Sequence, residues 1–301
     1  MNIVMGGAGG MIGQALSQAF QEDGADIHRL VRPSSDKGRQ DRTVAWDPEQ
    51  GTIDAAKLEG KDAVVHLGGE SLVSGYWSEA RKKRIRDSRV KSTELLGKTL
   101  AGLQNPPKTF VCASAIGFYD QHANTKLDET APSGKGFLAD VCSDWEAATR
   151  DAANAGIRVV NARIGIVLTP KGGALAKMLT PFKMGVGGRL GSGRQGMSWI
   201  ALTDVVRALQ FCVHHGSLSG PVNLTAPNPV DNREFTRILG KVLHRPTLFP
   251  VPGFAIRLAM GEMGRALLLS GAQILPTKLN QAGFQFQSAE LESALIHELG
   301  H

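Results

Sequence analysis

Met1-Asn2-Ile3-Val4-Met5-Gly6-Gly7-Ala8-Gly9-Gly10-Met11-Ile12-Gly13 opens the chain, and its reading decides the fold. A short apolar run breaks on a glycine cluster and passes directly into a helical pattern. Gly7, Gly10 and Gly13 are spaced G-x-x-G-x-x-G. Glycines at that spacing let a strand turn sharply into a helix, let the backbone approach a phosphate, and let helix and strand pack closely. The amides of the first helical turn, Met11 and Ile12 among them, then face the anion. A glycine pattern alone is a weak signal; a strand before it and a helix after it are the context that gives it meaning. The alternative is a tight βα turn without a ligand.

The rest of the chain repeats the alternation. Asp26–Val31 reads as a second strand, with a third around Thr43–Trp46. Lys61–Gly69 is β-branched and fully apolar at its centre and ends on Gly68-Gly69, as a buried parallel strand running up to a ligand would. A helical pattern covers about Trp77 to Leu103, strands follow at Thr109–Ser114 and Ile157–Arg163, and one helix from Leu138 to Ala155 lies between them. This rhythm predicts an α/β protein with a Rossmann-type doubly wound parallel sheet, which binds ligands at the carboxyl ends of its strands. Residues 1–169 are expected to form the dinucleotide-binding domain, with returning elements from about 199–225. Residues 170–301 are expected to form a smaller, mainly helical, substrate-side lobe. In it, Asp231 and Glu234 have the spacing of a capping box.

The tip of the second strand selects the cofactor. A site that prefers NAD usually has an acid there to accept from the ribose hydroxyls. This chain has Val31-Arg32-Pro33-Ser34-Ser35, and a guanidinium suits a 2′-phosphate by charge and by its forked donors. NADP is therefore expected over NAD; a surface arginine without a ligand is the alternative.

Composition excludes several classes. The net charge is +6, and the one dense basic run, Arg81-Lys82-Lys83-Arg84-Ile85-Arg86, lacks interleaved aromatics, so it reads as a solvated helix face and no nucleic-acid partner is expected. Cys112, Cys142 and Cys212 are odd in number and unpaired in spacing, which implies free thiols and no metal site. No apolar run approaches the length of a membrane span and no signal peptide is visible, so the expectations are no membrane partner and a cytoplasmic location.

With these segments in place, the chain resembles the extended, epimerase-like short-chain dehydrogenase/reductases, and more closely the atypical YfcH-like epimerase family. The resemblance rests on Gly6–Gly13, Val31-Arg32, His66-Leu67-Gly68-Gly69-Glu70, Trp77 with Arg86–Val90, and Ser114–Tyr119. It continues through Phe137-Leu138, Cys142, Trp145-Glu146, Arg163–Leu168, Gly191–Gln195, Ser198–Ile200, Pro250-Val251-Pro252 and Leu268–Gly271. It implies a family-specific C-terminal region from about residue 246, and a nicotinamide cofactor contacted by Gly7, Gly10, Met11, Ile12, Gly13, Val31, Arg32, Leu67, Gly68, Gly69, Arg89 and Val167.

The acid–base pair of the superfamily, Tyr-x-x-x-Lys, is missing: Tyr76 and Tyr119 are each followed four residues on by alanine. If Glu146 matches the glutamate that usually follows that lysine, Leu138 stands in the tyrosine position and Cys142 in the lysine position. Ser114, at the end of its strand, is then the candidate to hold a substrate oxygen, and Tyr119 the candidate proton donor, with a packing role as the alternative. Arg189 and Arg194 are candidates for anionic substrate groups, and His66 reads as a core histidine. The expected function is an NADP(H)-binding, epimerase-like oxidoreductase; the alternative is a non-catalytic NADPH-binding regulator.

Overall fold

The computed structural model describes residues 1–32, 42–122 and 125–300. Its centre is an eight-stranded sheet built from β1 (Asn2–Gly6), β2 (Asp26–Val31), β3 (Thr43–Asp47), β4 (Thr52–Ile53), β5 (Ala63–His66), β6 (Thr109–Ala115), β7 (Arg158–Ile164) and, after the short β8 (Ile166–Leu168), β9 (Gly196–Met197) and β10 (Trp199–Ala201), the returning β11 (Gly220–Leu224). The order is β11-β7-β6-β5-β1-β2-β3-β4, parallel throughout except for β4, which pairs antiparallel with β3 at the edge. Strand order reverses between β1 and β5, and β1 holds both neighbours in tight register, Met5 opposite Arg29 and Gly6 opposite His66. The crevice of a doubly wound sheet opens at that reversal.

The central strands are buried on both faces, which is why they read as continuous apolar runs rather than alternating ones. Ile3, Met5, Ala63, Val65, Val111 and Val160 point to one face, where they meet α1 (Met11–Glu22) and α6 (Leu202–His214). Val4, Val64, Phe110, Cys112 and Val159 point to the other, against α2 (Glu79–Ala101) and the helices between β6 and β7. In α1 the buried residues Gly13, Leu16, Ser17 and Phe20 recur at helical spacing.

The single helix expected over 138–155 is two, α3 (Phe137–Ala147) and α4 (Arg150–Asn154). Thr149 sits at the junction, where its hydroxyl donates to the Glu146 carbonyl at 2.7 Å and its own amide tightens onto the same oxygen at 3.2 Å. Such side-chain-to-backbone bonding competes with the regular helix ladder.

Beyond β8 lie α5 (Gly173–Lys183), β12 (Val230–Asp231), α7 (Asn232–Val242), α8 (Gly253–Leu268), α9 (Thr277–Gln281) and α10 (Leu291–Leu299). Of these, α5, α7 and α10 share a core of Leu175, Leu179, Phe182, Phe235, Leu239 and Leu295 with Trp199 of β10, whereas Met263 of α8 packs in a separate cluster with Trp77 and Ile85, and Leu279 of α9 joins the core of the main sheet. Asp231 caps α7 by accepting from the Glu234 amide at 2.7 Å, as its spacing predicts.

Candidate dinucleotide-binding site

The carboxyl end of β1 delivers the glycine turn into the crevice. Gly7 has φ +76°, and a Cβ there would lie 2.7 Å from the Gly68 amide nitrogen and from the Leu67 carbonyl carbon. The β1 turn and the loop after β5 therefore touch through bare backbone, joined also by the Leu67 amide on the Gly6 carbonyl at 2.8 Å. At Gly13 a Cβ would sit 2.2 Å from the Gly7 carbonyl oxygen. Each glycine serves a separate contact: Gly7 with the β5 loop, Gly13 with the turn beneath the helix. Over Gly9, by contrast, nothing lies within 4 Å of a Cβ position.

The start of α1 has the chemistry of an anion site. Gly10 is its N-cap with no side-chain cap bond, and its first turn holds no acidic residue. Uncapped first-turn amides and the positive end of the helix dipole favour a phosphate there. Met11 opens the helix and leans toward the N-terminus of α5, its sulfur 3.1 Å from where a Gly172 Cβ would be. The residues present fit a dinucleotide.

Val31 ends β2, and Arg32 follows it, exposed to solvent. Pro33–Ser35 lie outside the described residues. Arg89 lies along α2 and reaches back to the β5 loop: one guanidinium nitrogen donates to the Ile85 carbonyl at 2.9 Å and the other to the Glu70 carbonyl at 2.9 Å. Its guanidinium lies under Gly69, where a Cβ would approach to 3.0 Å, and faces the Trp145 ring. Burial lowers its pKa below the usual arginine value. Arg89 thus shapes the Leu67–Gly69 loop. Val167 pairs with Ile200 of β10, and its carbonyl oxygen lies 3.7 Å from a Cβ position on Gly173, which Met11 Cε also approaches at 3.8 Å.

His66 is a core residue, as its place on a buried strand implies. It is fully buried, bonded through Nε2 to Ser92 Oγ at 2.9 Å and edge-on to Trp46. Burial pushes its pKa down to about 4. Both Gly6 and Gly68 press on its ring, so the histidine fills the space between the two cofactor-side loops.

Ser114 and Tyr119 come together in a buried polar network rather than at an open face. Ser114 Oγ donates to Glu146 Oε1 at 2.7 Å. Glu146 also takes a two-pronged bond from Arg163, with Nε on Oε1 at 2.7 Å and Nη2 on Oε2 at 2.8 Å. Arg163 Nη1 donates to the Tyr119 hydroxyl at 2.8 Å, and that hydroxyl donates to Asn223 Oδ1 at 2.7 Å. The Asn223 backbone N–H in turn donates to Glu129 Oε1 at 3.0 Å, and its side-chain nitrogen to the Leu275 carbonyl at 2.9 Å. Tyr119 is 1 % exposed and Ser114 3 %. Burial pushes the phenol up to about 12, against the opposing pull of Arg163. A proton donor reaching in from a loop was the expectation for Tyr119; its hydroxyl is instead committed on both sides inside the protein. Neither Asn223 nor Glu129 carries a sequence signal for this role. Arg163, at the end of an apolar strand, does carry one, since a charge there requires an acid partner.

Around the missing pair the lining is apolar. Gly117 packs against Leu138 Cβ and, at 3.6 Å from a Cβ position, the Cys142 sulfur. Leu138 and Phe137 also pack with Met260 and Met263 of α8. All three cysteines are free and buried, and burial raises the Cys142 thiol to about 12, so it stays protonated and unreactive. The two candidate arginines differ: Arg189 donates to its own loop, at the Ser192 carbonyl (2.9 Å), while Arg194 is exposed.

The basic run on α2 is largely neutralised. Arg81 is buried against Glu70, Lys82 pairs with Glu262 at 2.6 Å, Lys83 with Asp87, and Arg86 with Asp144 at 2.7 Å.

Comparison with known proteins agrees with this geometry. A sequence model described as the NAD dependent epimerase/dehydratase family matches residues 3–224, and one described as a domain of unknown function (DUF1731) matches residues 251–298. The chain is 44 % identical over 293 residues to the epimerase family protein Mb2239 of Mycobacterium bovis, covering 97 % of this chain and 96 % of that one. It is 35 % identical over 296 residues to the epimerase family protein YfhF of Bacillus subtilis, covering 98 % and 97 %. The crystal structure of human epimerase family protein SDR39U1 (isoform 2) with NADPH superposes with a TM-score of 0.90 at 30 % identity, covering all of both chains. This chain belongs to the NAD dependent epimerase/dehydratase family.

Proposed function

We propose that this chain is an NADP(H)-binding, epimerase-like oxidoreductase acting on a small molecule of unassigned identity. One observation carries the reading: an uncapped, acid-free helix start faces open space over Gly9, with Arg32 at the neighbouring strand tip. Gly7, Gly10 and Gly13 with the Met11 and Ile12 amides would take the pyrophosphate. Val31 and Arg32 would take the adenosine ribose and its 2′-phosphate, and Leu67–Gly69 would run beneath the dinucleotide on their Arg89 support. Val167 would border the nicotinamide, which supplies a hydride when bound. The human relative named above, crystallised with NADPH, supports the choice of cofactor.

Ser114 and Tyr119 act in this reading as positioning residues. Together with Glu146 and Arg163 they fix the carboxyl ends of β6 and β7, where the substrate would sit, and neither offers a free hydroxyl to it. The second reading, a non-catalytic NADPH-binding regulator, is favoured by the same arrangement, because apolar Leu138 and a protonated Cys142 occupy the places of the acid–base pair.

Fluorescence titration tests the cofactor. Arg32→Ala is expected to weaken NADPH binding about tenfold or more, from the loss of a charge-assisted bond of roughly 1.5–3 kcal/mol, and to leave NADH unchanged. Failure of the wild type to bind NADPH at micromolar concentrations overturns both readings. A panel of carbonyl compounds and sugar nucleotides then separates them: turnover of any member establishes the enzyme, and none at saturating NADPH favours the regulator.

A further inference from the structure

Ten large apolar side chains are exposed among the described residues, and eight of them gather around one helix. Phe254 and Leu258, 67 % and 86 % exposed, stand one turn apart on the outer side of α8. Leu248 and Phe249 precede them on the loop entering that helix, and Met184 and Val186 lie on the loop leaving α5. Backbone contacts hold these two loops side by side. Arg245 Nε donates to the Lys183 carbonyl at 2.9 Å, Val251 donates to Arg189 and Gly191 to Val251, both at 2.9 Å. The contact is so close that a Cβ on Gly188 would lie 1.9 Å from the Phe249 carbonyl oxygen. Tyr76, whose hydroxyl donates to the Ala259 carbonyl at 2.7 Å, and Val73 add the far edge. A contiguous exposed apolar surface of this kind marks a site of interaction.

Charge says with what. Residues 170–203 contain Lys171, Lys177, Lys183, Arg189 and Arg194 and no Asp or Glu. Residues 235–261 contain Arg237, Lys241, Arg245 and Arg257 and again no Asp or Glu. These two segments hold nine basic groups in a chain whose net charge is +6. Lys241 and Arg237 pair with Glu292 and Glu234, and Glu262, farther along α8, is held by Lys82. Lys183, Arg245 and Arg257 remain exposed beside the apolar side chains. Aliphatic and phenyl groups flanked by these three cations, with Glu79 and Glu262 both held by Lys82 on the Tyr76 side, match the acyl boundary and phosphate layer of an anionic membrane.

We propose that the surface formed by the loop after α5, the loop 244–252 and the first half of α8 docks peripherally on an anionic lipid bilayer. No described helix is long and apolar enough to cross a membrane, so the contact is at the interface. The expectation of no membrane partner rests on the lack of a spanning segment, and a surface assembled from two distant segments of the chain leaves no such mark in the sequence. The surface borders the crevice, because α8 also carries Met260 and Met263, which cover Leu138 and Phe137. Docking would place the mouth of the site against the bilayer. The proposal stands on the surface alone and is independent of the cofactor.

Co-sedimentation of the purified full chain with vesicles tests it. The wild type is expected to bind phosphatidylcholine vesicles that contain phosphatidylglycerol, to bind pure phosphatidylcholine at least about tenfold less, and to be released by high salt. Phe254→Ser with Leu258→Ser, and separately Lys183→Glu with Arg257→Glu, are each expected to weaken binding about tenfold or more. Unchanged circular dichroism and melting temperature show that both variants are folded; if the apolar pair misfolds, the charge-reversed pair carries the test alone. Wild-type protein that stays in the supernatant at low salt overturns the proposal. So does a wild-type dimer in analytical ultracentrifugation that the Phe254/Leu258 variant converts to monomer, since a second copy would then cover the face.

Discussion

Gly13→Ala and Gly9→Ala form the sharpest pair of perturbations on the glycine turn, because the structure predicts opposite outcomes for the same chemical change. At Gly13 the new methyl would lie 2.2 Å from the Gly7 carbonyl oxygen and 2.8 Å from Ala8 Cα. Neither atom can yield cheaply, since the Gly7 carbonyl already accepts the Gly10 amide at 3.0 Å and holds the turn. Alanine in place of glycine inside a helix gains about 1 kcal/mol. Overpacking against unyielding atoms costs at the upper end of about 1–3 kcal/mol or beyond. The net is a loss on the order of 2 kcal/mol, or roughly 3 °C in melting temperature for a chain of this length. At Gly9 the methyl meets nothing within 4 Å, and Gly9 is not among the glycines with positive φ, so apo stability should stay within about 0.5 kcal/mol. A dinucleotide approaching that turn would meet the added methyl, so Gly9→Ala should lose NADPH affinity while Gly13→Ala loses stability first. Urea unfolding of the apo proteins and NADPH titration of both variants read the two effects separately. A Gly13→Ala protein as stable as the wild type would refute the packing argument. A Gly9→Ala protein with undiminished NADPH affinity would refute the placement of the ligand over the turn.

Two further outcomes follow from the buried groups. Glu146→Gln leaves the Arg163 guanidinium buried without its counter-charge and should cost about 3–5 kcal/mol, whereas Tyr119→Phe, which strips one partner each from Arg163 and Asn223, should cost about 1–3 kcal/mol; equilibrium unfolding ranks them, and equal losses would contradict the network described. His66 is lowered from 6.5 to about 4 when folded, so the unfolded chain binds its proton first as pH falls. Stability from this group is fully present above about pH 6.5, is lost between 6.5 and 4, and totals about 3 kcal/mol; His66→Asn should flatten that part of the stability–pH curve, and an unchanged slope would assign it to other groups.

Much of this was legible in the chain because local pattern and final environment coincide. Continuous apolar strands such as Ala63–His66 can be stable only when covered on both faces, so their sequence already implies a doubly wound sheet. Gly7 and Gly13 announce close backbone approach, because no other residue tolerates it there, whereas a Cβ on Gly10 would make only an ordinary contact with the Gly7 carbonyl at 3.4 Å. Arg32 is legible for the same local reason, its position next to the end of a strand. The break after α3 was not, since it depends on a hydroxyl turning back to a carbonyl that a regular helix would also satisfy.

Residues far apart in the chain were decided by tertiary structure alone. Whether Tyr119 faces a substrate or the interior depends on Arg163 and Asn223, brought beside it by the pairing of β6 with β7 and of β7 with the returning β11. The exposed face around α8 arises in the same way, from loops some sixty residues apart joined by backbone hydrogen bonds such as Val251 to Arg189. Sequence spacing fixes what a strand, a turn or a helix face can do, because those properties are set by neighbours along the chain. Where a hydroxyl points, and which apolar side chains remain in water, is set by neighbours in space, and only the packed structure supplies them.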